Sequence, residues 1–228
     1  MIDCQDQVFR LTTRDTSYWF QVTKFGHLEH IHYGPRLEHQ SVEGLILKRT
    51  AMIGSSVSYD SSDPHYCLDN LCLEWSGIGR GDYRHAPLEA KMPDATFTCD
   101  FVYQDHRIVP GFLSMDMLPS AYGEEGECQT LEITLLDGSN QVELLLYYTV
   151  FEKTNVITRR CVLRNQSDKK LTIRRIMSTM VDLPNRNFQF LTLDGGWIKE
   201  SHLHSRSIDY GLYRSEEHTS ELQSHHDL

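Results

Sequence analysis

Three places in this 228-residue chain gather side chains whose types and spacing can do chemistry. Gly195-Gly196-Trp197, preceded by Asp194 and followed by Lys199-Glu200, sets a tryptophan on a turn rather than inside a strand. An aromatic face there can pack against the apolar C–H face of a sugar ring, and the indole N–H can donate to a hydroxyl. An isolated Trp more often closes the edge of a β-structure, but two glycines strip cover from its flank and favour exposure. Gly79-Arg80-Gly81-Asp82-Tyr83-Arg84-His85-Ala86-Pro87 is a glycine-rich loop in which Asp82 and Arg84 can bond hydroxyls of a ligand. The competing reading pairs Arg84 with a nearby carboxylate, the commoner fate of an arginine. In Gly26-His27-Leu28-Glu29-His30-Ile31-His32-Tyr33-Gly34, strand alternation puts His30 and His32 on one face, as two metal ligands would be. A zinc site needs a third and usually a fourth ligand, and the sequence supplies no such set. No metal and no cofactor are expected.

The familiar nucleophile and nucleotide motifs are absent. There is no Gly-x-Ser-x-Gly elbow, no Walker loop and no Gly-x-Gly-x-x-Gly after a strand. Asp182, Asp194 and Glu152 are read as surface strand carboxylates, so no catalytic residue is assigned. With 22 Lys and Arg against 32 Asp and Glu, the net charge of −10 argues against nucleic acid, whose phosphates are held by cations. No run of about 18 apolar residues suggests a membrane span. The N-terminus, Met1-Ile2-Asp3-Cys4-Gln5-Asp6, lacks the basic and apolar regions of a secretory signal, so a cytoplasmic location is expected. The six cysteines form no Cys-x-x-Cys pair and are expected to be reduced core thiols.

The elements that must position these residues read as strands. Phe97, Cys99, Phe101 and Tyr103 alternate with Thr96, Thr98, Asp100 and Val102, and Leu131, Ile133 and Leu135 alternate with Thr130, Glu132 and Thr134. Similar runs lie near 7–13, 17–24, 142–151, 156–164 and 171–181. Turn signals separate them: Pro110-Gly111, Asp137-Gly138-Ser139-Asn140 and Asn165-Gln166-Ser167-Asp168. No segment sustains a helical period. The pattern predicts an all-β fold, a large antiparallel β-sandwich, with long loops projecting from it over 35–95.

Phe151-Glu152-Lys153-Thr154-Asn155-Val156-Ile157-Thr158-Arg159, followed by the Gly-Gly-Trp corner, resembles the N-terminal domain of the family 36 glycoside hydrolases, the bacterial-type α-galactosidases. The 26–34 run ending in Tyr33-Gly34 and the Asp82-Tyr83-Arg84 loop resemble that family as well, so the likeness spans roughly 5–213. It implies a supersandwich in front of a catalytic barrel. It also implies a parent enzyme that hydrolyses terminal α-galactosyl residues with retention. Trp197 would then line the galactose subsite, and the 79–87 loop would help build subunit contacts and the approach to the site of a homo-oligomer. The family's two catalytic aspartates lie on the barrel, one in a Lys-Trp-Asp context that this chain lacks. Some members also place an acidic residue from around 45–60 into a neighbouring subunit's pocket, and no residue of Leu45 to Asp60 is assigned that part. The rival from another class is a stand-alone carbohydrate-binding sandwich.

Arg214-Ser215-Glu216-Glu217-His218-Thr219-Ser220-Glu221-Leu222-Gln223-Ser224 resembles the conceptual translation of a sequencing-library adapter. With Leu222 as its sole apolar residue it cannot bury a face. The division expected is therefore 1–213 as the sandwich domain, incomplete at its C-terminus, and 214–228 as a non-native disordered tail.

Overall fold

The computed structural model describes residues 1–38, 41–46, 57–115, 118, 120–124, 126–184 and 186–213. Two of the sequence readings, the tail at 214–228 and most of the 45–60 stretch, lie outside them.

The chain divides into a large unit, Met1–Leu183, and a small one that begins at Pro184. In the large unit two four-stranded antiparallel sheets face each other. One contains β1 (Ile2–Gln5), β2 (Val8–Thr12), β3 (Thr16–Val22) and β4 (Leu28–Pro35) in chain order. Next in the chain comes β5 (Leu88–Lys91). The second sheet is β6 (Val102–Pro110), β7 (Cys128–Asp137), β8 (Val142–Phe151) and β9 (Val156–Asn165), again in chain order. A ribbon of two strands joins β5 to β10 (Thr172–Ile176) and adds Leu88 and Ala90 to the core.

Register explains why these sequences pack as they do. Phe9 opposes Phe20 and Leu11 opposes Tyr18 across β2 and β3. Leu131 opposes Tyr148, Ile133 opposes Leu146 and Leu135 opposes Leu144 across β7 and β8. Residues two apart share a face, so each set forms one apolar surface, and all ten side chains belong to a single core. Phe20 and Tyr148 stack across the two sheets with ring centroids 5.0 Å apart. This is the sandwich that the alternation predicts.

β8 is buried along almost its whole length. Its outer face is covered by the segment before β7: Arg160 donates to the Leu113 carbonyl at 3.0 Å, and the Phe112 ring lies 6.3 Å from that of Phe151.

Three local expectations need correction. Residues 96–101 lie outside any strand, although Cys99 and Phe101 point inward as their alternation suggests. There the chain is tied by isolated bonds, Cys99 N to the Ile78 carbonyl and Asp100 N to Asp137 Oδ2, in place of a ladder. The 35–95 region, read as loops, contains β5 and a 3-10 turn at Leu68–Asn70. Its bridge at Glu29 and Leu73 also pins it to the free edge of β4.

The third concerns His30 and His32, which do not share a face. A bulge in the β3–β4 pairing sets His30 opposite Phe20 and His32 opposite Trp19. His30 therefore turns toward Tyr18, with ring centroids 4.9 Å apart, and His32 toward Trp19 on the other side. One inserted residue reverses the alternation beyond it.

In the small unit, β11 (Gln189–Gly196) and β12 (Lys199–Ser207) form an antiparallel hairpin.

Candidate functional site

Trp197 stands at the tip of the β11–β12 hairpin. Gly196 pairs with Lys199, which leaves Trp197 and Ile198 as the two turn residues. Ile198 takes the left-handed conformation (φ 60°), and the pairing shifts between Asp194 and Gly196. A Cβ on Gly195 would come within 3.2 Å of Glu200 Cα and of the Lys199 carbonyl, so the bulge favours glycine there. Trp197 is 74% exposed, with its ring free to meet a ligand. Asp194 lies behind it and accepts from Thr192 Oγ1 at 2.8 Å, with His204 Nδ1 also 2.8 Å away. Those two contacts hold its carboxyl below the usual aspartate range.

The 79–87 loop is built to be rigid. Gly79 (φ 90°), Arg80 (φ 59°) and Gly81 (φ 82°) are all left-handed, and a bridge closes Gly79 against Asp82. Asp82 is buried and accepts from Arg84 Nε at 2.9 Å and Nη2 at 3.0 Å. Arg84 also donates to the Leu68 carbonyl at 2.7 Å, to the Leu71 carbonyl and to Asp182. Burial disfavours its charge, but Asp82 and Asp182 outweigh that and raise its pKa above the ordinary arginine value. Asp82 and Arg84 thus spend their polar groups on each other and on the loop. The residue this anchor presents is Tyr83, 75% exposed, whose N–H donates to Asp69 Oδ1 at 3.3 Å. The sequence singles out the charged pair and misses the aromatic between them. The signal available was the pair itself, since carboxylate and guanidinium two residues apart can close on one another.

Glu74 was also missed. It is 1% exposed in the sandwich interior. Tyr18 donates to both its oxygens, at 2.7 and 2.9 Å, and Tyr148 donates at 2.8 Å. His30 Nδ1 lies 2.9 Å away and Arg159 Nη2 3.0 Å. Burial alone would raise its pKa, but Arg159, then His30 and Tyr18, outweigh burial and lower it. The histidine that tempts a metal reading is therefore bound to a carboxylate. Among the described residues no group of three or more His, Cys, Asp and Glu is arranged to hold a metal ion.

The remaining carboxylates have structural partners: Asp182 pairs with Arg84, and Glu152 lies 3.6 Å from the N-terminal ammonium. All six cysteines are free thiols, and Cys67, Cys72, Cys99 and Cys128 are buried. Among the described residues no helix is long and apolar enough to cross a membrane.

The large unit is thus an antiparallel sandwich with an Asp-Tyr-Arg loop, and the small unit a hairpin with an exposed tryptophan at its tip. The profile of the glycosyl hydrolase family 36 N-terminal domain matches residues 26–227, and the chain belongs to that family. It is 31% identical to α-galactosidase AgaA of Geobacillus stearothermophilus over 213 residues, 93% of this chain and 29% of that enzyme. It is 32% identical to α-galactosidase 1 of Pediococcus pentosaceus, over 92% of this chain and 29% of the relative. Among solved structures, the galactosidase domain of the α-galactosidase–sucrose kinase AgaSK superposes with a TM-score of 0.86 at 30% identity, covering 92% of this chain and 30% of that one. A variant of the Geobacillus AgaA solved with raffinose gives 0.82 at 29% identity, covering 89% and 28%. The chain thus spans about three-tenths of the length of the relatives it matches.

Proposed function

We propose that this chain is the N-terminal part of a retaining α-galactosidase that hydrolyses terminal α-D-galactosyl residues of raffinose-type sugars. In this reading the chain supplies one wall of the galactose subsite through Trp197, and an oligomer interface. The observation that carries it is a tryptophan 74% exposed at the tip of a two-residue turn in a chain whose matched relatives are α-galactosidases. An exposed indole leaves a large apolar surface in water unless a ligand or partner covers it, and a sugar C–H face is a fitting cover. In the 79–87 loop, Asp82 and Arg84 bond to each other and leave Tyr83 exposed. The paired carboxylates of a retaining mechanism, about 5–5.5 Å apart, belong to the barrel that the family places after the sandwich. A cytoplasmic homo-oligomer is part of the proposal.

The test is Trp197→Ala in the complete enzyme from the same locus. A drop of about tenfold or more in kcat/KM for an α-galactoside, the scale of one ring contact, is expected. Unchanged kcat and KM would remove the site. Dialysis-resistant turnover of a chromogenic α-galactoside by the 228-residue chain itself would overturn the division of labour.

A further inference from the structure

A cleft of about 260 Å³ opens where Ala121, Tyr122 and Glu127 lie beside the β8–β9 turn. From its lining we infer a binding site for a neutral saccharide, with one sugar ring seated against Tyr122. It shares no residue with the Trp197 hairpin or the 79–87 loop and does not rest on the role proposed for them.

Phe151 forms an apolar floor and is itself buried. Tyr122 rises beside it, 82% exposed. The rim carries the hydroxyls of Thr154 and Thr158, the carboxylate of Glu127 and the ammonium of Lys153. Glu127 Oε2 accepts from the Glu124 N–H at 2.9 Å. Among the described residues, the side chains of Tyr122, Thr154, Thr158 and Lys153 make no hydrogen bond to protein, so their capacity is left for a ligand.

The cleft is also preformed. β8 and β9 stay in register to Phe151 and Val156, the last pair before the turn. Gly123 sits so close to the floor that a Cβ there would lie 2.9 Å from both Cys128 Sγ and Phe151 Cε1.

The chemistry selects the ligand class. A purely apolar molecule would strip water from two threonines, a carboxylate and an ammonium without replacing their hydrogen bonds, which costs free energy. A phosphate or other anion would meet the Glu127 carboxylate as well as the Lys153 ammonium. A neutral saccharide offers a C–H face to Tyr122 and Phe151, and hydroxyls that both donate and accept along the rim. The volume lies just below the usual range for small-molecule sites, about 300–1,000 Å³, which suits one ring better than an extended chain.

The experiment titrates the intact 228-residue chain with methyl α-D-galactopyranoside, methyl α-D-glucopyranoside and, as an anionic control, glucose 6-phosphate. Saturation-transfer NMR gives the contact and calorimetry the affinity. Millimolar binding of at least one neutral glycoside is expected, with no tighter binding of the phosphate. Tyr122→Ala, which removes an exposed side chain, is expected to weaken binding about tenfold, with far-ultraviolet circular dichroism confirming the fold. Thr158→Val serves as a second variant and is expected to weaken it severalfold. The inference is overturned by failure of both neutral glycosides to bind, or by full affinity in Tyr122→Ala. Kinetics of Trp197→Ala in the complete enzyme judge the other site, so the two readings fail separately.

Discussion

Arg159 Nη2 lies 3.0 Å from Glu74 Oε2 in the interior of the sandwich, with side chains 11% and 1% exposed. The pair draws together a loop residue and β9. Through Tyr18, Tyr148 and His30 it also reaches β3, β8 and β4. An ion pair this deep contributes little net stability against an apolar replacement, but removing one partner strands the other. Glu74→Ala is therefore expected to cost about 3–5 kcal/mol, measured by urea denaturation. A Glu74→Leu/Arg159→Met double variant is expected to lose less than the sum of its singles. A single-variant loss under about 1 kcal/mol, no more than an ordinary surface substitution, would show that the network does not bind the sheets.

The same carboxylate sets an acid limb. Its pKa is lower folded than unfolded, so the unfolded chain takes up the proton first as pH falls. Its contribution is fully present above the unfolded glutamate value, about 4.3, and is lost as pH falls through the lower, folded one. Stability curves of the chain and of Glu74→Gln, normalised at neutral pH, should diverge below about pH 4.5, with the variant falling less steeply. Parallel curves would assign the acid limb to other groups.

Gly79 needs its missing side chain. At φ 90°, a Cβ would lie 2.7 Å from Thr98 Cγ2, whereas one on Gly138 would meet nothing within 4 Å. Gly79→Ala should destabilise by about 1–3 kcal/mol, and Gly138→Ala by less than about 0.5 kcal/mol. Equal effects in thermal melts would refute the strain argument.

The Arg84 anchor predicts where mobility would appear. Asp82→Ala leaves a half-buried guanidinium short of one of its two carboxylates. Amide exchange at Tyr83 and Arg84 should accelerate well beyond that of β7 and β8. Tyr83→Ala, at an exposed position, should change global stability by less than about 0.5 kcal/mol. Unchanged loop exchange in Asp82→Ala would mean that the carbonyls of Leu68 and Leu71 suffice to hold the loop.

Burial pushes the Cys99 and Cys161 thiols up to about 11. Both should stay protonated at pH 8 and resist iodoacetamide in the native chain, then react once urea opens the sandwich. Mass spectrometry reads the sites directly, and rapid native labelling of Cys99 would contradict its burial.

The amino-acid sequence by itself determined the sheets. Alternation in 7–13, 17–24 and 142–151 is a local property of neighbouring side chains, and it fixes which residues of β2, β3 and β8 face the core. It also set Trp197 on a turn, because Gly195-Gly196 is a local backbone signal. Only the tertiary structure decided the rest. The bulge that sends His30 and His32 to opposite faces depends on how β3 and β4 pair, and nothing in the Gly26–Gly34 run marks it. Glu74 meets Tyr18 from 56 residues away and Tyr148 from 74. The sequence expects Arg84 to pair with a nearby carboxylate, but only the fold shows that Asp182, Leu68 and Leu71 join Asp82 in claiming the guanidinium. Hydrophobic pattern is written along the chain. The partner that satisfies a buried charge is chosen across it, by whichever groups the fold brings within hydrogen-bond reach.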